Sequence, residues 1–462
     1  MTKPDSRGGN HDRPPVLLTY VPTLPSSEAP TVRHAQGLML EPFRGVRYAE
    51  DRVSGLAEVT SPPYDVIAAD NENQLMAADP HNVVRLILPR HPAGQPGSPY
   101  TDAARDLSGW LADGILAADP APALYVYEQA TPGGRIIQRG LIGALGLAPY
   151  AARIVQPHED VAPGPVAGRR QLMEATKANL EPIFLLYQGG NGGATLLVDS
   201  VADSREPLAS AVTADGLRHR LWAITEPAEQ AAIADDLAPR TALIADGHHR
   251  YAAYLQLQGQ LRQAGAGSGP WDRGLALLVD STAYPPMLGA IHRVVTGLVP
   301  ESAARLAASA FCVRELPGGA ADVPGALAQL DQECARGIAF LLAGNSRIWL
   351  LTDPDPAQLQ AAVPDHPAEL WQHVPAAVLQ GMLFARVWAI EDDARSVRAI
   401  HDATEAIRSA DESPSGTAVI CGPMSASQVY QIAELGRRVP RKSTSFGPKP
   451  RTGLVLRLFA EG

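Results

Sequence analysis

In the run RTALIADGHHRYAAYLQL, an apolar segment ends in Asp246-Gly247-His248-His249-Arg250 and passes directly into a helical pattern. Gly247 lets the backbone turn sharply between the two elements. A helix start leaves backbone N–H groups unpaired, and its dipole favours an anion there. Two imidazoles and a guanidinium at that point add side-chain donors, and Arg250 can grip phosphate oxygens at two places. Asp246 can hold a magnesium ion, orient an imidazole or simply cap the helix. These residue types in this order can build a phosphate cradle without a Walker loop, the alternative being a capped helix start followed by surface polar histidines.

A second cluster lies near the C-terminus. RRVPRKSTSFGPKPR carries six basic residues and no acid in a chain whose formal net charge is −10. Within it Lys442, Ser443, Thr444 and Lys449 are candidate contacts to a phosphorylated ligand, the alternative being a solvated basic loop. In PFRGVRY and SPPYDVI, Arg44, Arg47, Tyr64 and Asp65 sit among turn-forming residues. Rigid turns of this kind line a binding site or lock the N-terminal segment onto the core. His292-Arg293 reads as a strand end rather than a ligand contact. G-x-S-x-G, H-E-x-x-H and Walker motifs are absent, and GGNGG (189–193) reads as a loop.

These residues need elements to position them. Residues 1–36 are rich in Pro, Gly, Ser and charge and are expected to be a disordered leader, with a stray strand at 16–21. Strands are expected at 83–89, 123–130, 136–148, 153–161, 182–187, 194–199, 218–225, 240–245, 275–281 and 454–459. Helices are expected near 70–79, 101–117, 166–180, 226–238 (capped by Thr225), 250–263 and 425–438. Strands and helices alternate along the whole chain, which indicates an α/β fold, with α+β as the alternative.

Composition narrows the function. With 39 basic against 49 acidic residues, the chain lacks the broad basic surface that displaces counterions from a long polyanion, so nucleic acid is not an expected partner. Three widely spaced cysteines form neither a zinc pattern nor a disulfide framework, which fits a reducing compartment. No apolar run reaches membrane-spanning length, and the N-terminus lacks a signal-type core, so a cytoplasmic protein is expected. With 41 glycines and 41 prolines, long-helix and fibrous architectures are excluded.

PFRGVRY (42–48), SPPYDVI (61–67), HNVVRLILP (81–89), PHEDV (157–161), ATKANLEPIFLLY (175–187), IADGHHRYAAYL (244–255), GAIHRVV (289–295) and KSTSFGPKPRTGLV (442–455) together resemble a large bacterial family of domains of unknown function, number 1015 in its series. DGHHRYAA also resembles the second phosphate box of the ParB/sulfiredoxin-like superfamily, more closely the box of its free serine kinases. The resemblance implies a ParB/sulfiredoxin-like nucleotide-binding core over 151–297, preceded by an α/β region at 37–150. An α/β region at 298–462 follows, its KST segment packing back on the core. It makes Asp246 to Arg250 the phosphate box and Pro157-His158-Glu159 the first box, with Glu159 as catalytic base and His158 as its assistant. Asn179 joins the candidate contacts. The 86 residues between Glu159 and Asp246 exceed what a minimal core of this kind needs.

The implied activity is phosphoryl transfer from ATP or ADP, with magnesium, to free serine or a similar small hydroxyl metabolite. A nucleotide-operated switch using CTP or ATP, which implies a homodimer, is the alternative. A non-catalytic accessory protein is the third reading.

Overall fold

The computed structural model describes residues 37–461, apart from 93, 95, 363–367 and 394. The expected leader and the strand at 16–21 lie outside the described residues.

A nine-stranded mixed sheet carries the first half of the fold. Its order is Val155–Gln156, Ala242–Asp246, Ile183–Tyr187, Arg273–Asp280, Ile136–Gly146, Leu124–Ala130, Arg218–Ile224, Ala209–Val212, with Leu40–Glu41 added beside Ile136–Gly146. Ala242–Asp246 runs parallel to Val155–Gln156, and Arg273–Asp280 runs parallel to Ile183–Tyr187. The other pairings are antiparallel. Both faces are covered, so the central strands read as continuous apolar runs rather than alternations. Leu124–Ala130 shows this: Tyr125 and Tyr127 enter the core on one side, Leu124 and Val126 the core on the other.

A six-stranded antiparallel sheet forms the second half, in the order Cys312–Glu315, Arg347–Thr352, Phe340–Gly344, Gly416–Cys421, His292–Thr296, Val397–Ile400. Helices Pro300–Ala307 and Leu379–Trp388, the latter π-type, contribute to the core on one face; Val323–Cys334 and Ala403–Asp411 contribute to the other. The result is a mixed α/β protein. No helix among the described residues is long and apolar enough to cross a membrane.

Three expected strands are corrected. Residues 83–89 hold the short helix Val84–Ile87. Val84, Leu86 and Ile87 are all fully buried, and a run buried on every side carries no period to separate strand from helix. Residues 194–199 belong to the helix Gly193–Ser204, whose Ala194, Val198 and Val201 are buried at spacings of four and three. From 454–459 only Arg457–Leu458 is a strand, paired with Ala178–Asn179. Thr225 is not a cap: the helix Pro227–Leu237 starts after Glu226, without a side-chain cap.

Candidate functional site

The strand Ala242–Asp246 runs into Gly247 at φ +91° and then into the helix His248–Gln263, as its sequence predicts. A Cβ at Gly247 would lie 3.0 Å from Ile183 Cγ2, so both the left-handed backbone and the space call for glycine. No side chain caps the helix. Its first turn opens on a cleft of about 320 Å³, at the small end of ligand-pocket sizes.

Pro157-His158-Glu159 approaches this turn because Val155–Gln156 pairs alongside Ala242–Asp246. The His158 N–H faces His248 Nε2 at 3.4 Å, and the two rings meet edge to face at 4.6 Å. The two boxes, 86 residues apart in the chain, therefore adjoin. His158 is fully buried. Its Nδ1 lies 2.8 Å from the Ile244 carbonyl, which can only accept, so Nδ1 carries the proton and Nε2 is left as an acceptor. Burial lowers the pKa of His158 and, more strongly, of His248, against the pull of Glu159 and Asp246 respectively; both rings are neutral near pH 7. His249 Nε2 accepts from the Ala162 N–H at 3.0 Å.

The basic C-terminal segment folds onto this pair. Val439 donates its N–H to the His158 carbonyl at 2.7 Å. Glu159 Oε1 accepts from the backbone N–H groups of Ser443 at 3.0 Å and Thr444 at 3.1 Å, and Oε2 accepts from that of Lys442 at 3.1 Å. The Thr444 hydroxyl lies 3.0 Å from Glu159 Oε1 and 2.7 Å from His158 Nε2, so its single proton has two acceptors. Lys449 pairs with Asp246 Oδ1, and Arg250 pairs with Oδ2 at 2.6 Å. Burial alone would raise the Asp246 carboxyl; the Lys449 and Arg250 charges outweigh it and hold the group well below the usual carboxylate range.

Asp65, His158, Glu159, Asp246, Gly247, His248, His249, Lys442, Thr444 and Lys449 all line the cleft. The other candidates face elsewhere. Arg250 turns inward, donating to the Pro182 carbonyl at 2.6 Å and to Asp246, and is buried. It braces the turn from behind and offers no fork to the cleft. The Tyr64 ring stacks under the Arg169 guanidinium at 4.2 Å. Arg47 grips Asp119 with two nitrogens, and Arg44 ties the Asp119 carbonyl to Glu461. These two arginines lock the N-terminal segment in place. Asn179 accepts from the Leu275 N–H and from Arg457, inside the core. Ser443 Oγ bonds the Pro440 carbonyl, leaving only its N–H for Glu159.

With both oxygens engaged by cations, Asp246 is not arranged to ligate a metal. Among the described residues no three His, Cys, Asp or Glu side chains group to hold one.

The second half of the fold also lines the cleft, through Arg293, Gln380, Asp392 and His401. Arg293, read from sequence as a strand end, donates to the Lys442 carbonyl at 3.0 Å and the Arg441 carbonyl at 3.3 Å. The basic neighbour of His292 was the only sequence signal for this lining. His401 and Asp392 stand in no motif.

Several solved structures resemble the fold at low identity. SbnI with a C-terminal truncation, from Staphylococcus aureus, aligns with a TM-score of 0.34 and 11% identity, over 69% of this chain and 87% of its own. A free serine kinase in complex with AMP aligns with a TM-score of 0.31 and 15% identity, over 65% and 88%. A conserved hypothetical protein from Pyrococcus furiosus aligns with a TM-score of 0.32 and 14% identity, over 66% and 92%. No curated protein matches the sequence. The model of the DUF1015 family, described as proteins of unknown function, matches residues 40–377, which takes in both boxes and stops short of the KST segment. Since that match spans well over half of the sequence, the chain belongs to the DUF1015 family.

Proposed function

We propose that the cleft binds a nucleotide through its phosphates and passes a phosphoryl group to a small hydroxyl compound, with Glu159 as general base. One observation carries this reading: His158-Glu159 and the uncapped turn at Gly247–His249, far apart in sequence, line one cavity together with Lys442 and Lys449. An uncapped helix start beside cations favours phosphate oxygens. A carboxylate within reach of an attacking hydroxyl supplies the proton acceptor that phosphoryl transfer needs. The adenine nucleotide and a serine-like acceptor come from the sequence resemblance. Magnesium carried in on the nucleotide would neutralise phosphate charge, while Asp246 stays bound to Lys449 and Arg250.

Phosphoryl transfer to a panel of hydroxyl acids, followed by phosphorus NMR, tests this reading alongside thermal shifts with ATP, ADP, CTP and GTP plus magnesium. Stabilisation by a nucleotide is expected, with transfer lowered about 10²–10⁴-fold in Glu159→Gln. If no nucleotide raises the melting temperature, the reading fails. Engagement of both Glu159 oxygens favours a second reading, in which occupancy rearranges the 442–444 turn without transfer. Nucleotide binding with no transfer in the wild type selects it.

A further inference from the structure

We propose that the Lys442–Thr444 turn is itself an anion site for a terminal phosphate, and that Glu159 occupies it as an internal stand-in until a ligand phosphate displaces it. This rests on the phosphate-binding reading above and concerns regulation of the same cleft.

Three consecutive backbone N–H groups converge on one carboxylate. Lys442 sits at φ +60°, the left-handed conformation that lets successive amides face a common point. Such a concavity binds anions, and its donors accept carboxylate or phosphate oxygens alike. Arg293 fixes the turn from outside by holding the Arg441 and Lys442 carbonyls. The Thr444 hydroxyl is a fourth donor when its proton turns from His158 Nε2 toward Glu159.

The electrostatic balance favours exchange. Glu159 is held there by neutral donors, and its side chain keeps 15% exposure. Arg441 and Lys442 line the same cleft, and among the described residues neither has an ion-pair partner. A phosphate dianion entering the turn gains two cations that the single carboxylate leaves uncommitted. No covalent bond changes in this exchange. Its consequence is release: while Glu159 fills the turn, both its oxygens are committed, and once displaced they can accept a proton from an attacking hydroxyl. The resting protein therefore withholds its base until phosphate arrives.

Calorimetric titration of the full chain with inorganic pyrophosphate and with ATP tests this, on wild type, Glu159→Ala and Glu159→Gln. The glutamine variant keeps the side chain's size should the alanine variant fold poorly, and circular dichroism checks both. Removing the carboxylate charge from the turn is expected to tighten pyrophosphate binding at least tenfold. Equal or weaker binding in the variants, with ATP still bound by the wild type, overturns the internal stand-in and leaves the proposed function intact. Tighter pyrophosphate binding in the variants, with no ATP bound by any form, supports the turn site and overturns the proposed function. Absence of binding in every form overturns both.

Discussion

Two of the carboxylates that border the cleft are held in opposite ways. Asp246 is buried between a guanidinium and an ammonium, each bonded to a different oxygen. Glu159 is partly exposed and held by neutral backbone donors. A buried charge held between two counter-charges cannot leave without stranding them. A carboxylate in an amide cradle can be replaced by any anion of suitable size. The first arrangement makes a fixture and the second an exchangeable occupant, although both residues are acids at or just beyond the end of a strand.

The largest break in this contrast comes from Asp246→Ala. Buried Arg250 and half-buried Lys449 would lose their shared counter-charge, at a cost of about 3–5 kcal/mol. Urea unfolding should show it, whereas Glu159→Gln should cost about 1.5–3 kcal/mol, as for hydrogen bonds to a charged group. Equal losses at the two positions would erase the distinction.

Acid separates the groups next. Folding depresses the His158 and His248 pKa values, so below the ordinary histidine value of about 6.5 the unfolded chain binds protons that the folded one does not. Stability is therefore retained above that pH and lost as pH falls beneath it, by up to about 1.4 kcal/mol per pH unit for each proton. Asp246, also depressed, adds its loss only below about pH 4. Melting curves from pH 8 to pH 5 should show a slope that flattens in His248→Gln.

The smallest effect sharpens the description of the turn. Lys442→Gly keeps the left-handed backbone and all three amides, and should change stability by no more than about 0.5 kcal/mol while weakening pyrophosphate binding only through the lost charge. A large loss of stability would mean that the ammonium, not the amides, organises the turn.

Sequence alone exposed one half of this arrangement. The strand–Gly247–helix junction was readable because turn chemistry, an apolar run and a helical pattern coincide within a few residues. The paired strands Leu124–Ala130 and Ile136–Gly146 were readable for the same reason, being joined by a TPGG turn. Arg250 misled because its direction depends on the Pro182 carbonyl, 68 residues away. The Glu159 cradle depends on backbone N–H groups, which every residue but proline carries, so no side-chain pattern announces it. Arg293 entered the site through two backbone carbonyls, again invisible to residue type.

The order of synthesis gives the C-terminal segment a further meaning. By Cys421 every strand of the two large sheets has been made. Yet Val439 has not met His158, the 442–444 amides have not met Glu159, and Lys449 has not met Asp246. A nascent chain at that stage carries both boxes without the groups that restrain them. Arg250 then pairs with Asp246 without Lys449, and both Glu159 oxygens are open to any cation or hydrogen-bond donor in solution. Residues 439–449 thus supply the groups that close over the site only after every strand of the two sheets has been made.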